Sequence, residues 1–136
     1  MTKDAVICDL DGTLALLNGR DPYNASTADE DLINLPILDL IINNKIIFVT
    51  GREEKYRPQT EKFLELHGLA PNTMGLYMRK TGDRRKNYIV KEEIYNNYIA
   101  PLDINIKFVL EDNEQVVNMW RSLGLVCMKV SYDTIT

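Results

Sequence analysis

The chain has few of the residues that build disulfide scaffolds, histidine metal sites or basic nucleic-acid faces. Its 136 residues include two cysteines and one histidine, and 20 acidic against 16 basic residues give a net charge of −4. Cys8 and Cys127 lie in apolar runs and are expected to be buried hydrophobic residues, not a disulfide or a metal pair. His67 ends a predicted helix, where a capping role is expected. The acidic balance argues against one broad basic surface that holds nucleic acid.

Long apolar runs, internal repeats and low-complexity tracts are also absent. No run approaches the roughly 18 residues that span a bilayer, and no basic-then-apolar leader is visible. We therefore expect no membrane contact and a cytoplasmic location, which is the host cytoplasm if a phage encodes the chain. No Gly-x-x-x-x-Gly-Lys-[Ser/Thr] loop is present, which argues against kinase activity of that type. Residues 1–136 are expected to form one domain.

The most informative stretch joins an apolar strand to two carboxylates. Residues 5–8 are apolar, and Asp-Leu-Asp-Gly-Thr follows at positions 9–13. An apolar run of this kind is typical of a central parallel strand, and ligands bind at the carboxyl end of such strands. Asp9 and Asp11 leave the same side of an extended backbone, so a cation or a shared proton must offset their repulsion. The alternative is a strand that ends in an ordinary Asp-Gly turn.

Apolar and amphipathic segments alternate along the rest of the chain. We expect strands over 45–49, 75–78, 106–110 and 125–130, helices over 32–42, 56–67, 88–99 and 116–123, and a flap over 14–24. This alternation predicts a single α/β domain with a doubly wound parallel sheet, as in Rossmann-like folds. The side chains expected to face the core from the helices are Leu35, Leu38, Ile41, Ile42, Phe63, Leu64, Leu66, Ile89, Ile94, Tyr98, Val116, Met119, Trp120 and Leu123.

The Asp-x-Asp-Gly-Thr segment resembles the first motif of the haloacid dehalogenase (HAD) superfamily of phosphotransferases. Thr50 after the second strand, Lys91 in a helix and an acidic pair after a later strand follow in the order of the other three motifs. The resemblance implies that Asp9 is the nucleophile that forms an aspartyl-phosphate, and that Asp11 acts as general acid and then as base. Thr50 would bind a phosphate oxygen, and Lys91 would offset negative charge.

The same resemblance implies Mg²⁺ as the cofactor. The ligands implied are Asp9, Asp11, Glu111 and Asp112, whose oxygen atoms suit a hard cation. The metal would screen the nucleophile from the phosphate dianion. Related proteins carry paired aspartates in the fourth motif, whereas this chain has Glu111-Asp112. Asp112 is therefore the better-supported ligand of that pair.

Longer blocks are similar to the 3′-phosphatase domain of phage-type polynucleotide kinase/phosphatase. They comprise residues 9–15, 18–20, 50–52, 82–86, 90–94 and 115–121, and the similarity covers nearly the whole chain. It implies removal of 3′-phosphates from DNA or RNA ends in nucleic-acid end repair, with Arg20, Gly51, Arg52 and Asn87 in substrate binding. Related domains have an acidic residue at the position of Asn87, which leaves that contact open. A separate kinase or ligase is an implied partner, because the phage domain follows a kinase domain.

No cap domain is expected over the site. Superfamily members that act on small metabolites usually carry one after the first motif or between the second and third, but residues 14–49 and 51–90 are largely used by predicted core elements. An open site admits a polymer end. Tyr23 and Tyr56, in or beside loops over the site, are candidates to stack on terminal bases.

Two other functions remain open from the sequence. One is a general HAD phosphatase that acts on nucleotides or other small phosphate esters, and the other is a binding module that keeps the fold without catalysis. Residues 79–86 discriminate between the two enzymes, since neutralising them should impair turnover of oligonucleotides more than turnover of a small ester. The basic residues of this segment, expected to form a solvated loop, are Arg79, Lys80, Arg84, Arg85 and Lys86.

Overall fold

A computed structural model of the chain describes residues 3–131, in which parallel strands alternate with helices. In chain order, the elements are β1 (Lys3–Cys8), β2 (Ala15–Leu16), β3 (Leu32–Ile33), α1 (Leu35–Ile41), β4 (Ile46–Glu53), α2 (Arg57–Leu66), β5 (Thr73–Arg79), α3 (Asn87–Ile94), β6 (Ile104–Glu111), α4 (Glu114–Ser122) and β7 (Cys127–Lys129). Short 3-10 turns cover Ala28–Glu30, Glu54–Tyr56 and Ala70–Asn72, and a π-helical turn covers Tyr95–Ile99.

Five strands form one parallel sheet in the order β5-β4-β1-β6-β7. The chain first builds outward from β1 through β4 to β5, and then crosses to β6 and β7 on the other side. Strand order therefore reverses at β1, and the carboxyl end of β1 is the place where such sheets bind ligands. This topology confirms the predicted doubly wound α/β fold.

Both faces of β1 are buried, as its continuous apolar sequence predicts. Ala5 and Ile7 pack with α3 and α4 on one face, while Val6 and Cys8 pack with α1 and α2 on the other. All four are at most 1% exposed. Each large apolar side chain buried in this way contributes roughly 1.5–3 kcal/mol. The two half-cores fix the position of the segment that follows β1.

Helix α1 begins at Leu35, later than the predicted start at residue 32. Leu32–Ile33 instead forms β3, which pairs antiparallel with β2. Pro36 lies in the first turn, where its missing N–H has no helical partner to lose. Ile37 and Ile41 face the core, whereas Leu35 is 60% exposed, so the prediction of Leu35 as an inward residue is wrong.

The predicted helix over 88–99 is two elements. Helix α3 ends at Ile94, and a π-helical turn follows, in which the amide N–H of Ala100 donates to the carbonyl of Tyr95 at 2.8 Å. The extra residue in this turn changes the phase of the helix. Ile94 is buried as predicted, but Ile89 and Tyr98 are 37% and 50% exposed, so their inward assignment is wrong.

Several smaller features agree with the sequence or correct it. Cys8 and Cys127 are buried free thiols, and His67 is the C-terminal cap residue of α2. Leu66 is 61% exposed, so the prediction that it faces the core is wrong. Strand β4 runs through residues 50–53 beyond its predicted end. Among residues 3–131, no helix is long and apolar enough to cross a membrane. Between β1 and α1, the chain holds only the β2–β3 ribbon and one 3-10 turn.

Candidate active site

Asp9 follows the last residue of β1 and is 5% exposed. Its Oδ1 accepts a hydrogen bond from Lys91 Nζ at 2.8 Å, and its Oδ2 accepts one from Thr13 Oγ1 at 3.0 Å. Burial and the neighbouring Glu111 raise the pKa of Asp9 to about 7, against the smaller opposing effect of Lys91. Two donors thus hold a carboxylate in a fixed orientation at the ligand-binding edge of the sheet.

Lys91, from α3, lies between two carboxylates and is 2% exposed. Its Nζ donates to Asp9 and also to Glu111 Oε1 at 2.7 Å. Burial alone disfavours the ammonium form, but Asp9 and Glu111 outweigh it and raise the pKa of Lys91. The other oxygen of Glu111 accepts from the backbone N–H groups of Asp112 and Asn113, at 3.2 and 3.4 Å. Glu111 is therefore turned toward Lys91 and the start of α4, where it orients the lysine.

Three carboxylates form a group that fits a divalent cation. Asp9, Glu111 and Asp112 each offer an oxygen within 4.8 Å of the others. Asp112 lies directly over Gly12, where a Cβ would overlap its carboxylate and where φ is +81°. Burial and Asp9 raise the pKa of Asp112 to about 6. One ammonium group cannot neutralise three carboxylates, so the residual charge and the all-oxygen donors suit Mg²⁺.

Asp11 is also predicted as a metal ligand. Among the described residues, the group of three carboxylates does not include it, and two arginines hold its side chain. Its Oδ1 accepts from Arg20 Nη2 and from Arg52 Nη2, each at 2.9 Å. Burial opposes ionisation, but Arg52 and Arg20 outweigh it and hold the pKa of Asp11 below its usual value. The backbone turns after Asp9, where three successive N–H groups (residues 13–15) donate to the carbonyl of Leu10. Asp9 and Asp11 therefore have separate partners.

Asp31 is a site residue that the sequence analysis missed. Its side chain is 1% exposed and accepts from Arg20 Nε at 2.8 Å and from Arg52 Nη2 at 3.0 Å. Each arginine is thus shared between Asp11 and Asp31. The only sequence signal was indirect, since two arginines placed at a buried site require carboxylate partners.

The second-motif residues Thr50 and Gly51 are close to Asn87. Thr50 is fully buried, and its Oγ1 accepts from the N–H of Arg52 at 3.1 Å. A Cβ on Gly51 would overlap the Asn87 amide, so only glycine permits this approach. Asn87 accepts a hydrogen bond from Arg79, whose Nε also donates to the Gly51 carbonyl at 2.8 Å. Asn87 and Arg79 therefore support the strand segment that carries Thr50 and Arg52.

The basic segment 79–86 differs from the predicted solvated loop, because its first residue, Arg79, ends β5 and is buried. Arg79 is 9% exposed and donates to the carbonyls of Asp83 and Arg85 at 3.1 and 2.6 Å. Arg85 pairs with Asp83 and with Glu93, each at 2.8 Å. Two of the five basic side chains, Arg79 and Arg85, are thus paired with carbonyl or carboxylate groups of the chain. Arg85 is nevertheless exposed to solvent, as are Lys80, Arg84 and Lys86.

The two tyrosines considered for base stacking differ in their surroundings. Tyr23 is 91% exposed, in the loop between β2 and the 3-10 turn Ala28–Glu30. Tyr56 is partly buried, and Lys55 Nζ lies 5.2 Å from its ring centroid. Stacking on bases by either residue stays a prediction.

The raised pKa values of Asp9 and Asp112 predict a metal-sensitive pH dependence of stability. Folding raises these pKa values from 3.8 to about 7 and about 6. The folded chain therefore binds more protons than the unfolded chain between pH ~4 and 7, and its stability falls as pH rises through that range. The lowered pKa of Asp11 changes the stability only at pH values below this range. In chelator, we expect a lower melting temperature at pH 8 than at pH 5.5.

Mg²⁺ should raise the melting temperature more at pH 8 than at pH 5.5, because it binds the ionised carboxylates. Differential scanning fluorimetry of the chain and of Asp9→Asn measures both effects. Asp9→Asn should reduce both the pH dependence of the melting temperature and its increase on addition of Mg²⁺. A Mg²⁺ shift of the same size at both pH values would argue against this site.

Comparisons with known proteins place these features in a family. The family model of the polynucleotide kinase PNKP phosphatase domain matches residues 3–134. A protein of Autographa californica nuclear polyhedrosis virus, described as a bifunctional polynucleotide kinase/RNA ligase, is 33% identical over an alignment of 132 residues, and the match covers 89% of this chain and 18% of that protein.

Solved structures agree with this match. Chains in two structures of the Pnkp1/Rnl/Hen1 complex, one described as an RNA repair complex, share 46% identity with this chain at a TM-score of 0.89. The matches cover 98% of this chain, and 44% and 48% of those chains. The chain thus spans less than half of each of these relatives. With its HAD motifs at the carboxyl ends of β1, β4 and β6, the chain belongs to the family of polynucleotide kinase PNKP phosphatase domains.

Proposed function

We propose that this chain is a Mg²⁺-dependent polynucleotide 3′-phosphatase that acts through an aspartyl-phosphate. The observation that carries the proposal is the arrangement of Asp9 between Lys91 and Thr13, with the paired arginines Arg20 and Arg52 around Asp11. A nucleophile, an acid-base group and a cationic clamp are the parts that phosphoryl transfer by a carboxylate requires.

In the first step, an Asp9 oxygen attacks phosphorus and the bond from phosphorus to the ester oxygen breaks. Asp11 gives its proton to that oxygen, which leaves as the hydroxyl of the strand. In the second step, Asp11 takes a proton from water, which attacks phosphorus and releases phosphate from Asp9. Lys91 remains protonated throughout and offsets the charge on Asp9 and on the phosphoryl group. The sum is hydrolysis of one phosphate monoester.

Asp11 must hold a proton for the first step, although Arg20 and Arg52 lower its pKa in the free chain. A phosphate dianion competes for the same guanidinium donors and binds them in a two-point fashion. Arginine N–H groups that turn to phosphate weaken their interaction with Asp11, which raises its pKa. Substrate binding thereby prepares the general acid, and Asp31 keeps both arginines in place.

The carboxylates of Asp9 and Asp112, with Glu111 beside them, would hold Mg²⁺. The ion would supply Lewis-acid stabilisation of the phosphoryl oxygens and would screen Asp9 from the phosphate dianion. Thr50 is fully buried at the same edge, where its hydroxyl would bind a phosphate oxygen.

The relatives support a nucleic-acid end as the substrate. One is described as a polynucleotide kinase/RNA ligase, and others belong to an RNA repair complex. We infer that this chain acts on RNA ends beside kinase and ligase activities, in the same polypeptide or in partner proteins. The absence of a cap domain among residues 3–131 favours a polymer end over an enclosed metabolite.

Phosphate release from one oligonucleotide with either a 3′- or a 5′-phosphate tests this function. We expect release from the 3′ end only, in Mg²⁺ and not in chelator, and faster release from RNA than from DNA. A small aryl phosphate at equal concentration is the comparison substrate. Preferred use of the aryl phosphate would support the general phosphatase instead, and no release from any substrate would support a binding module.

A further inference from the structure

A cavity of about 340 Å³ lies beside the candidate active site, between the edge strand β5 and helix α3. This volume is in the range of pockets that hold small ligands. Two lining residues are close in sequence to residues of the candidate site, since Glu54 is the second residue after Arg52 and Val90 precedes Lys91. Two residues of extended chain span at most about 7 Å. The cavity wall therefore begins close to the backbone of Arg52, whose side chain is proposed to bind the phosphate.

Two stacked tyrosines form an aromatic wall of this cavity. The Tyr77 ring lies over Gly75, where a Cβ would be 2.8 Å from the ring. Tyr98 stacks on Tyr77, with ring centroids 5.6 Å apart and planes at 14°. Tyr98 comes from the π-helical turn Tyr95–Ile99, a rare element that is often found at functional sites. Since Tyr98 remains 50% exposed, the stack can extend to a further planar ring.

The charges around the cavity suit a neutral ligand. Glu54 pairs with Arg57, while Arg85 pairs with both Asp83 and Glu93. The three lining carboxylates balance three lining cations, Arg57, Lys80 and Arg85, so the cavity has no net charge to attract a phosphate group and suits an uncharged ring. Asn97 also lines the cavity, and its amide can both donate and accept hydrogen bonds. A planar, uncharged ring with hydrogen-bonding edges is the chemistry of a nucleobase.

We propose that this cavity binds the base of the second nucleotide from the 3′ end, by stacking on Tyr98. The inference rests on the proposed function for the polarity of the strand. Stacking on an aromatic side chain contributes a substantial part of single-strand affinity and tolerates any base. The subsite would thus favour oligonucleotides over mononucleotides without selecting a sequence.

Fluorescence of 2-aminopurine tests the subsite without turnover. The probe is a decanucleotide that ends in a 3′-hydroxyl and carries 2-aminopurine at either the second or the eighth position from that end. Binding should quench the fluorescence of 2-aminopurine at the second position but not at the eighth. Tyr98→Leu should abolish the quench and weaken binding by about 5- to 10-fold. Tyr98→Phe, which keeps the aromatic ring, should retain both the quench and the affinity of the unmodified chain.

Leu102→Ala is the matched control, because Leu102 is 46% exposed, follows the same π-helical turn and does not line the cavity. Equal weakening by Tyr98→Leu and Leu102→Ala, or a quench that persists in Tyr98→Leu, would overturn the subsite. Quenching by a protein that releases no 3′-phosphate would keep the subsite and overturn the proposed function. Release of 3′-phosphate without quenching would overturn the subsite alone.

A second readout uses turnover of two substrates. Tyr98→Leu should lower kcat/KM for a trinucleotide 3′-phosphate about 5- to 10-fold more than for a nucleoside 3′-phosphate. The difference should appear in KM, because the second base lies outside the reacting centre. An equal loss for both substrates would indicate a merely structural role for Tyr98.

Discussion

Asp9→Asn should abolish phosphate release, with a loss of roughly 10⁴-fold or more in kcat. The amide lacks the nucleophilic carboxylate but keeps its shape. Its oxygen can still accept from Lys91, and its NH₂ can donate to the Thr13 hydroxyl, so the fold should remain intact. Removing one of the three clustered carboxylates should also leave the chain at least as stable near pH 8, where Asp9 is ionised despite its raised pKa.

Trapping the covalent intermediate provides the direct measurement. The unmodified chain, quenched in acid during turnover of a labelled 3′-phosphate, should carry one phosphate on Asp9, and Asp9→Asn should carry none. The matched control is Asp39→Asn, which removes an exposed carboxylate on α1 and should leave labelling and kcat unchanged. Phosphate release that persists in Asp9→Asn would refute the aspartyl-phosphate mechanism and leave direct attack by water as the alternative.

The sequence predicted the parts of the site that lie at strand ends. Asp9, Thr50 and Asp112 follow or lie near the carboxyl ends of β1, β4 and β6, and each of these strands is recognisable as an apolar run. The parallel topology then brings these positions to one edge of the sheet. Lys91 was found through the order of the family motifs, because nothing in its local sequence distinguishes it from a surface lysine of a helix.

The parts that the sequence did not predict depend on contacts between distant segments. Asp31 holds Arg52 from 21 residues away, and other acidic residues in the same loop make no such contact. Arg79 appeared to belong to a charged surface run, but its hydrogen bonds to Gly51 and Asn87 are visible only once β5 lies beside β4. The π-helical turn has no pattern of its own, since a helical periodicity describes 88–99 equally well.

Lys91→Met is the second substitution with a large expected effect. It removes the cation that neutralises Asp9 and Glu111, so we expect kcat to fall about 10³-fold. It also leaves buried carboxylates without their partner, which should lower the free energy of unfolding by about 3 kcal/mol at pH 8 in chelator. Loss of activity from this variant alone would therefore not separate catalysis from folding.

The double variant Lys91→Met/Glu111→Gln separates the two effects. Neutralising Glu111 removes one of the unpaired carboxylates, and its amide can still accept from the Asp112 and Asn113 N–H groups. Chemical denaturation should show most of the lost stability restored. Activity should stay below that of Glu111→Gln alone, because the ammonium group that offsets charge on Asp9 and on the phosphoryl group is missing. If activity returned together with stability, Lys91 would act only as a counter-ion in the fold, and charge stabilisation during phosphoryl transfer would have to come from Arg20, Arg52 and the metal.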